Sequence, residues 1–131
     1  MGENMNVTVD FDDTLYIEDP ASHRPYKVGL SGMLNPAMYK KIQEHQAAGD
    51  SVSILTTRLD WNMDFVKEFC KDHDLEFDNI WNTNFEWKYT VFDKYNVDVH
   101  YDNNSQEIGM ALEHYKKPVR LFFVHNEDIF E

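Results

Sequence analysis

Four short stretches of this 131-residue chain carry side chains whose types and spacing suit phosphate or metal chemistry. The run Asp10-Phe11-Asp12-Asp13-Thr14-Leu15 sets three carboxylates within four residues, directly after an apolar stretch. Crowded like charges raise each other's pKa unless something cationic neutralises them. A divalent cation does this, and an all-oxygen donor set suits magnesium. Asp10 and Asp12 are two apart and share a face in a plain strand. Taken alone, the run fits an acidic turn that ends a strand and caps the next segment equally well. Thr56, Thr57 and Arg58 close a second apolar stretch and offer hydroxyls and a guanidinium to phosphate oxygens; alone they read as strand and loop residues. Asp102 follows His100-Tyr101 and either reaches the cation held by Asp10 or caps the next helix. Lys88 opens a short helical stretch; most lysines there are plain surface charges.

The elements that must position these residues alternate. Val7 to Phe11, Val52 to Thr56, the segment near Phe77 to Trp81, Val97 to Tyr101 and Val119 to Val124 read as five strands. Asn35-Pro36 is an N-cap with a first-turn proline. A helix carrying Met38, Ile42 and His45 follows, and Gly49 stops it. Asp60 is expected to cap a helix with Trp61, Phe65 and Phe69 on one apolar face, more in keeping with core than with a base-stacking platform. Trp87 to Tyr95 is expected to be a short helix. Asn104 or Ser105 should cap another, carrying Ile108, Leu112 and Tyr115. Such alternation predicts an α/β fold with a five-stranded parallel sheet and helices on both faces. Its ligand crevice lies off the carboxyl ends of the strands, where Asp10, Thr56 and Asp102 fall. Residues from about 15 to 34, with Pro20, Pro25, Gly29 and Gly32, read as a flap or small hairpin.

The length predicts one domain over 1–131. A net charge of −12, from 12 basic and 24 acidic side chains, argues against an extended nucleic-acid track or an anionic membrane as partner. One cysteine excludes a disulfide framework and a multi-cysteine zinc site. No apolar run spans a bilayer and no signal peptide is visible, so a cytoplasmic location is expected. The six histidines show no ligand spacing; His100 reads as a packed side chain and Cys70 as structural.

The order of these features resembles the haloacid dehalogenase-like superfamily. Asp10-Phe11-Asp12-Asp13-Thr14-Leu15 is similar to its first motif, DxDxT. Thr56 matches the second motif, Lys88 is a better match than Lys94 for the third, and Asp102 matches the leading acid of the fourth. The resemblance runs from Val7 to Val124 and departs at Asn103, where many members carry a second acid; Glu107 is the nearest later one. It implies a Rossmann-like three-layer sandwich without a separate cap domain. It implies a magnesium-dependent phosphomonoester hydrolase acting through an aspartyl-phosphate, on a nucleotide or a nucleic-acid phosphate end. By the same resemblance Asp10 is the nucleophile, Asp12 the general acid and base, and Lys88 the stabilising cation. Asp10, Asp12 and Asp102 hold Mg2+, while Thr56, Thr57 and Arg58 bind the substrate phosphate.

The acid at Asp12 favours phosphate over carbon–halogen chemistry. Arg24 and Lys27 on the flap read mainly as solvated charges. The partners implied are a small phosphorylated substrate and, as an open expectation, a second copy of the chain. Asn103 motivates the alternative, a non-catalytic metal- or phosphate-binding partner protein on the same fold. A receiver-domain reading needs an aspartate at the end of the third strand, which here ends near Asn82.

Overall fold

Adjacent residues of a strand face opposite sides of a sheet, and Ile54 and Leu55 show how this chain uses that rule. Both are buried, and they belong to two separate hydrophobic clusters. The computed structural model describes residues 4–17 and 33–131. Strand β1 (Asn6–Val9) is central in a six-stranded sheet. With β4 (Ser51–Thr56), β5 (Asn79–Asn82), β6 (Val99–Asp102), β7 (Arg120–His125) and β8 (Asp128–Phe130), the order is β5-β4-β1-β6-β7-β8. The five expected strands are all present and mutually parallel. The expectation of a five-stranded, wholly parallel sheet is nevertheless corrected. β8 returns antiparallel on β7, with His125 opposite Asp128 across the two-residue turn Asn126-Glu127, where Asn126 takes a φ of 54°.

Helix α1 (Pro36–Ala47) buries Met38 and Ile42, and α2 (Asp64–Asp72) buries Val66, Phe69 and Cys70; both pack with Val9, Ile54 and Tyr101 on one face. The other face carries Leu55, Val97 and Leu121, covered by Phe92 of α3 (Tyr89–Phe92) and Ala111 of α4 (Ser105–His114). Helices therefore lie on both faces of the sheet. Asn35 caps α1 by accepting from Ala37 N at 3.0 Å, and Gly49 follows with φ 90°.

Three helix expectations need correction. Asp60–Asn62 forms a 3-10 turn and α2 starts only at Asp64, so the spacing counted from Trp61 is broken: Trp61 is 77% exposed while Phe69 is buried. α3 is a single turn, and Lys88 precedes it rather than lying within it. α4 turns Glu107 and Ala111 inward and leaves Leu112 exposed.

The expected hairpin appears as two short antiparallel strands, β2 (Tyr16–Ile17) and β3 (Met33–Leu34). The rest of the flap, with Arg24 and Lys27, lies outside the described residues. No helix among the described residues is long and apolar enough to cross a membrane.

Candidate active site

The chain runs from β1 outward through β4 to β5, then crosses back to β6 on the other side of β1. That reversal is a topological switch, which opens a crevice off the carboxyl ends of β1 and β6. Asp10 leaves the end of β1 with its N–H bonded to Tyr101 O at 2.9 Å, and Asp102 ends β6. Both carboxylates meet Lys88 from the loop before α3. Its Nζ donates to Asp10 Oδ1 at 2.7 Å and to Asp102 Oδ2 at 2.6 Å. Lys94 instead sits with its ammonium over the Tyr95 ring.

All three groups are buried, which removes water as a competitor and makes their charges count. One ammonium faces two carboxylates at nearly equal distances, and His100 adds a further donor to Asp102. Burial pushes the Asp10 carboxyl above the ordinary carboxylate range, and the negative charge of Asp102 pushes it further. At Asp102 burial also acts upward, but the Lys88 charge and the His100 hydrogen bond outweigh it and hold that carboxyl below its ordinary range. For Lys88, burial acts downward and is overcome by the two carboxylates, which raise it and keep it charged.

Beneath these groups runs a buried chain that the sequence pattern did not reveal. His100 Nε2 lies 2.8 Å from Asp102 Oδ2, and Nδ1 lies 2.7 Å from Thr8 Oγ1. Burial pushes the His100 pKa down, against the hydrogen bonds to Asp102 and to the Thr8 backbone, which act upward. An ionised Asp102 only accepts, so Nε2 donates to it. Thr8 and His100 are direct partners in the β1–β6 register. Among the described residues, no buried side-chain nitrogen or oxygen is left without a partner.

The tight turn after β1 sorts the acidic run. Leu15 N donates to Phe11 O at 3.1 Å, Asp13 N to Tyr16 O at 2.7 Å, and Asp13 takes a φ of 62°. β1 has ended at Val9, so Asp10 and Asp12 do not share a strand face. Asp10 turns inward. Asp12 stays half-exposed, in a bidentate pair with Arg58 at 2.9 and 2.7 Å. Thr14 is fully buried and shapes the site: its hydroxyl donates to Asp10 Oδ2 at 2.9 Å and accepts from Asn103 N at 3.0 Å.

A cavity of about 460 Å3 opens over these groups, lined by Asp10, Asp12, Thr57, Lys88, Asp102 and the α4 N-terminus among others. Thr57 lines it; Thr56 is buried beside it and accepts from Arg58 N at 3.3 Å. Arg58, expected on phosphate, spends its guanidinium on Asp12 and on Asn62 O, and lies over the Phe11 and Phe65 rings. Glu107 holds Lys88 in place by accepting its backbone N–H at 3.0 Å.

Among the described residues no group of three or more His, Cys, Asp or Glu side chains is set for a metal. The charge balance nonetheless fits a hard cation. Asp10, Asp12, Asp13, Asp102 and Glu107 line the cavity, with Lys88 as the only basic lining residue among the described residues. Two carboxylates with few further protein ligands suit magnesium, which keeps several waters.

No protein-family model matches the chain, and no curated protein matches it. Solved chains do, among them two from structures of a Pnkp1/Rnl/Hen1 complex, the second described as an RNA repair complex. The first is 20% identical with a TM-score of 0.69, and the second 21% identical with a TM-score of 0.63. Each covers 94% of this chain, which spans only 46% and 43% of theirs. At this identity the likeness concerns the fold: this chain shares its α/β architecture with part of each of those longer chains.

Proposed function

We propose that the chain is a magnesium-dependent phosphomonoester hydrolase that acts through an aspartyl-phosphate on nucleic-acid phosphate ends or nucleotides. One observation carries the reading: Lys88 Nζ bridges Asp10 and Asp102 at the switch crevice, under an open acidic cavity. The fold likeness to chains of an RNA repair complex supports the choice of substrate by analogy.

Asp10 attacks phosphorus, the bond from phosphorus to the ester oxygen breaks, and the electron pair leaves on that oxygen. Asp12 supplies the proton to the departing alcohol. Both Asp12 oxygens contact Arg58, so proton delivery requires that pair to open. Water then attacks phosphorus, Asp12 takes its proton, and the bond from phosphorus to Asp10 breaks to release inorganic phosphate. Each carboxylate–phosphate charge pair at ~4 Å is repulsive by about 4 kcal/mol at an effective dielectric of ~20. Lys88 offsets part of that, and Thr57 with the α4 N-terminus faces the phosphoryl oxygens. Asp10, Asp102 and the backbone carbonyl of Asp12 would hold Mg2+, which supplies the remaining positive charge.

The test is phosphate release from nucleotides, sugar phosphates and oligonucleotides with 3′- or 5′-phosphate ends, with and without magnesium. Release that needs magnesium and disappears in Asp10→Asn is expected. Undiminished release in Asp10→Asn refutes the nucleophile. No release from any substrate favours the second reading, a metal- or phosphate-binding partner protein. Its motivating observation is Asn103, which is bonded to Thr14 where a second acid would stand.

A further inference from the structure

The loops at the carboxyl end of β4 and β5, which also supply the cavity residues Thr57 and Lys88, carry three uncovered rings. Trp61 is 77% exposed, Phe85 73% and Trp87 39%. They sit on the two loops that follow β4 and β5, at the same sheet edge as Asp10 and Asp102. Among the described residues, none of the three stacks on another ring, in contrast to Trp81, which lies flat on Tyr95 with centroids 3.8 Å apart.

The loops beneath these rings are cross-tied. Asn84 Oδ1 accepts from Asp60 N at 2.8 Å, and Asn84 Nδ2 donates to Asp60 Oδ1 at 3.2 Å. Asn82 Nδ2 reaches Asp60 Oδ1 at 2.7 Å and Arg58 O at 3.0 Å. Phe85 N donates to Thr57 O at 2.8 Å, and Thr57 lines the cavity. Asn84 takes a φ of 52°, which asparagine tolerates, and Phe85 one of 71°, costly for an aromatic residue unless the surroundings enforce it. Trp61 and Phe85 each adjoin a residue of the tie, so their backbones are positioned before anything binds. Trp87 directly precedes Lys88.

We infer that Trp61, Phe85 and Trp87 form a stacking platform for the unpaired bases of a single-stranded nucleic acid whose terminal phosphate enters the cavity. The inference rests on the phosphate-end reading of the site and names its substrate class. Exposed rings separated by asparagine, aspartate and glutamate suit flat π-faces with polar edges better than a continuous apolar protein surface. The electrostatics limit the length of the ligand: a net charge of −12 and a carboxylate-lined cavity repel a long phosphate backbone, and the described residues offer it no cationic track. Stacking then has to supply the affinity through the base faces, so added salt should not weaken binding as it does where a cationic groove holds the backbone.

The test measures anisotropy of a dye-labelled short single-stranded oligonucleotide bearing a terminal phosphate, as DNA and as RNA, on Asp10→Asn protein. Its partner measurement is KM with the active protein. The paired substitution Trp61→Ala and Phe85→Ala is expected to weaken binding and raise KM by about tenfold or more. Trp61→Phe should retain most of the affinity, and abasic terminal nucleotides should reproduce the loss on unmodified protein. An unchanged dissociation constant in the paired variant overturns the platform, even where magnesium-dependent hydrolysis stands. Trp61-dependent oligonucleotide binding without hydrolysis of any phosphomonoester supports the platform and removes the enzymatic reading instead. A changed sedimentation coefficient with unchanged oligonucleotide affinity makes the surface a protein contact and overturns the inference.

Discussion

Replacing Lys88 with methionine removes the ammonium and keeps a side chain of similar length and volume. The site then holds Asp10 and Asp102, both buried, without the group that bonds them at 2.7 and 2.6 Å. Breaking a buried ion pair by deleting one partner costs about 3–5 kcal/mol. For a domain of this size about 1 kcal/mol corresponds to roughly 3–5 °C, so Tm in chelator at about pH 7.5 should fall by roughly 10–20 °C. The sign with pH follows from proton uptake. Without Lys88 both carboxyls titrate above the ordinary carboxylate range in the folded state. The variant therefore loses stability as pH rises from about 4, and its deficit shrinks again on acidification. In the unmodified chain the depressed Asp102 contributes stability above the ordinary carboxylate pKa and loses it as pH falls. The raised Lys88 contributes below the ordinary lysine pKa and loses it only at strongly alkaline pH. Calorimetry at about pH 7.5 and about pH 5, with chelator or millimolar magnesium, reads all of this. Magnesium should raise the variant's Tm more than that of the unmodified chain, and adding Asp10→Asn should recover much of the loss. A variant that melts within about 2 °C of the unmodified chain at pH 7.5, and gains nothing from Asp10→Asn, would refute the charge argument.

Two further outcomes are expected. His100→Leu removes a hydrogen bond to ionised Asp102 and should cost about 2–3 kcal/mol in urea unfolding; Thr8→Val should cost about 1 kcal/mol. The pair should cost less than the sum because both belong to one chain of bonds; strict additivity would show them to be independent. Asn35→Ala removes the α1 cap together with donations to Thr14 O at 2.9 Å and Asn126 O at 2.6 Å. About 2–4 kcal/mol of stability should be lost, and a loss under about 1 kcal/mol would mean the two carbonyls find water.

The parallel core was legible because buried parallel strands read as short apolar runs, and Val7, Val52 and Val97 each begin one. β8 was not, since three residues after a two-residue turn carry little pattern; Asn126 was its one available signal. Trp61 was misplaced because a 3-10 turn interrupts the period on which the helix count relied. At the site, Asp10, Lys88 and Asp102 were singled out by their order along the chain and its resemblance to the family motifs, and they come together in the structure. Thr8 and His100 escaped because only the β1–β6 register puts them opposite each other. The pairing of Arg58 with Asp12 was not legible, because the turn at Asp13 sends Asp12 out to meet it and no spacing rule anticipates that.

The antiparallel return of β8 also bears on how the chain behaves when many copies are crowded together. Without it, β7 would present the unpaired edge of Leu121-Phe122-Phe123-Val124, an aromatic and β-branched template for a foreign strand. Three residues cover Phe123 to His125 of that edge, and beyond them the fork of Arg120 onto Glu131, at 2.7 Å from Nε and Nη2, fastens the chain. β8 is itself an edge strand, and acidic Glu127, Asp128 and Glu131 flank it, so approaching copies meet like charge there. The strand that contributes least to the crevice thereby guards the colloidal behaviour of the whole molecule.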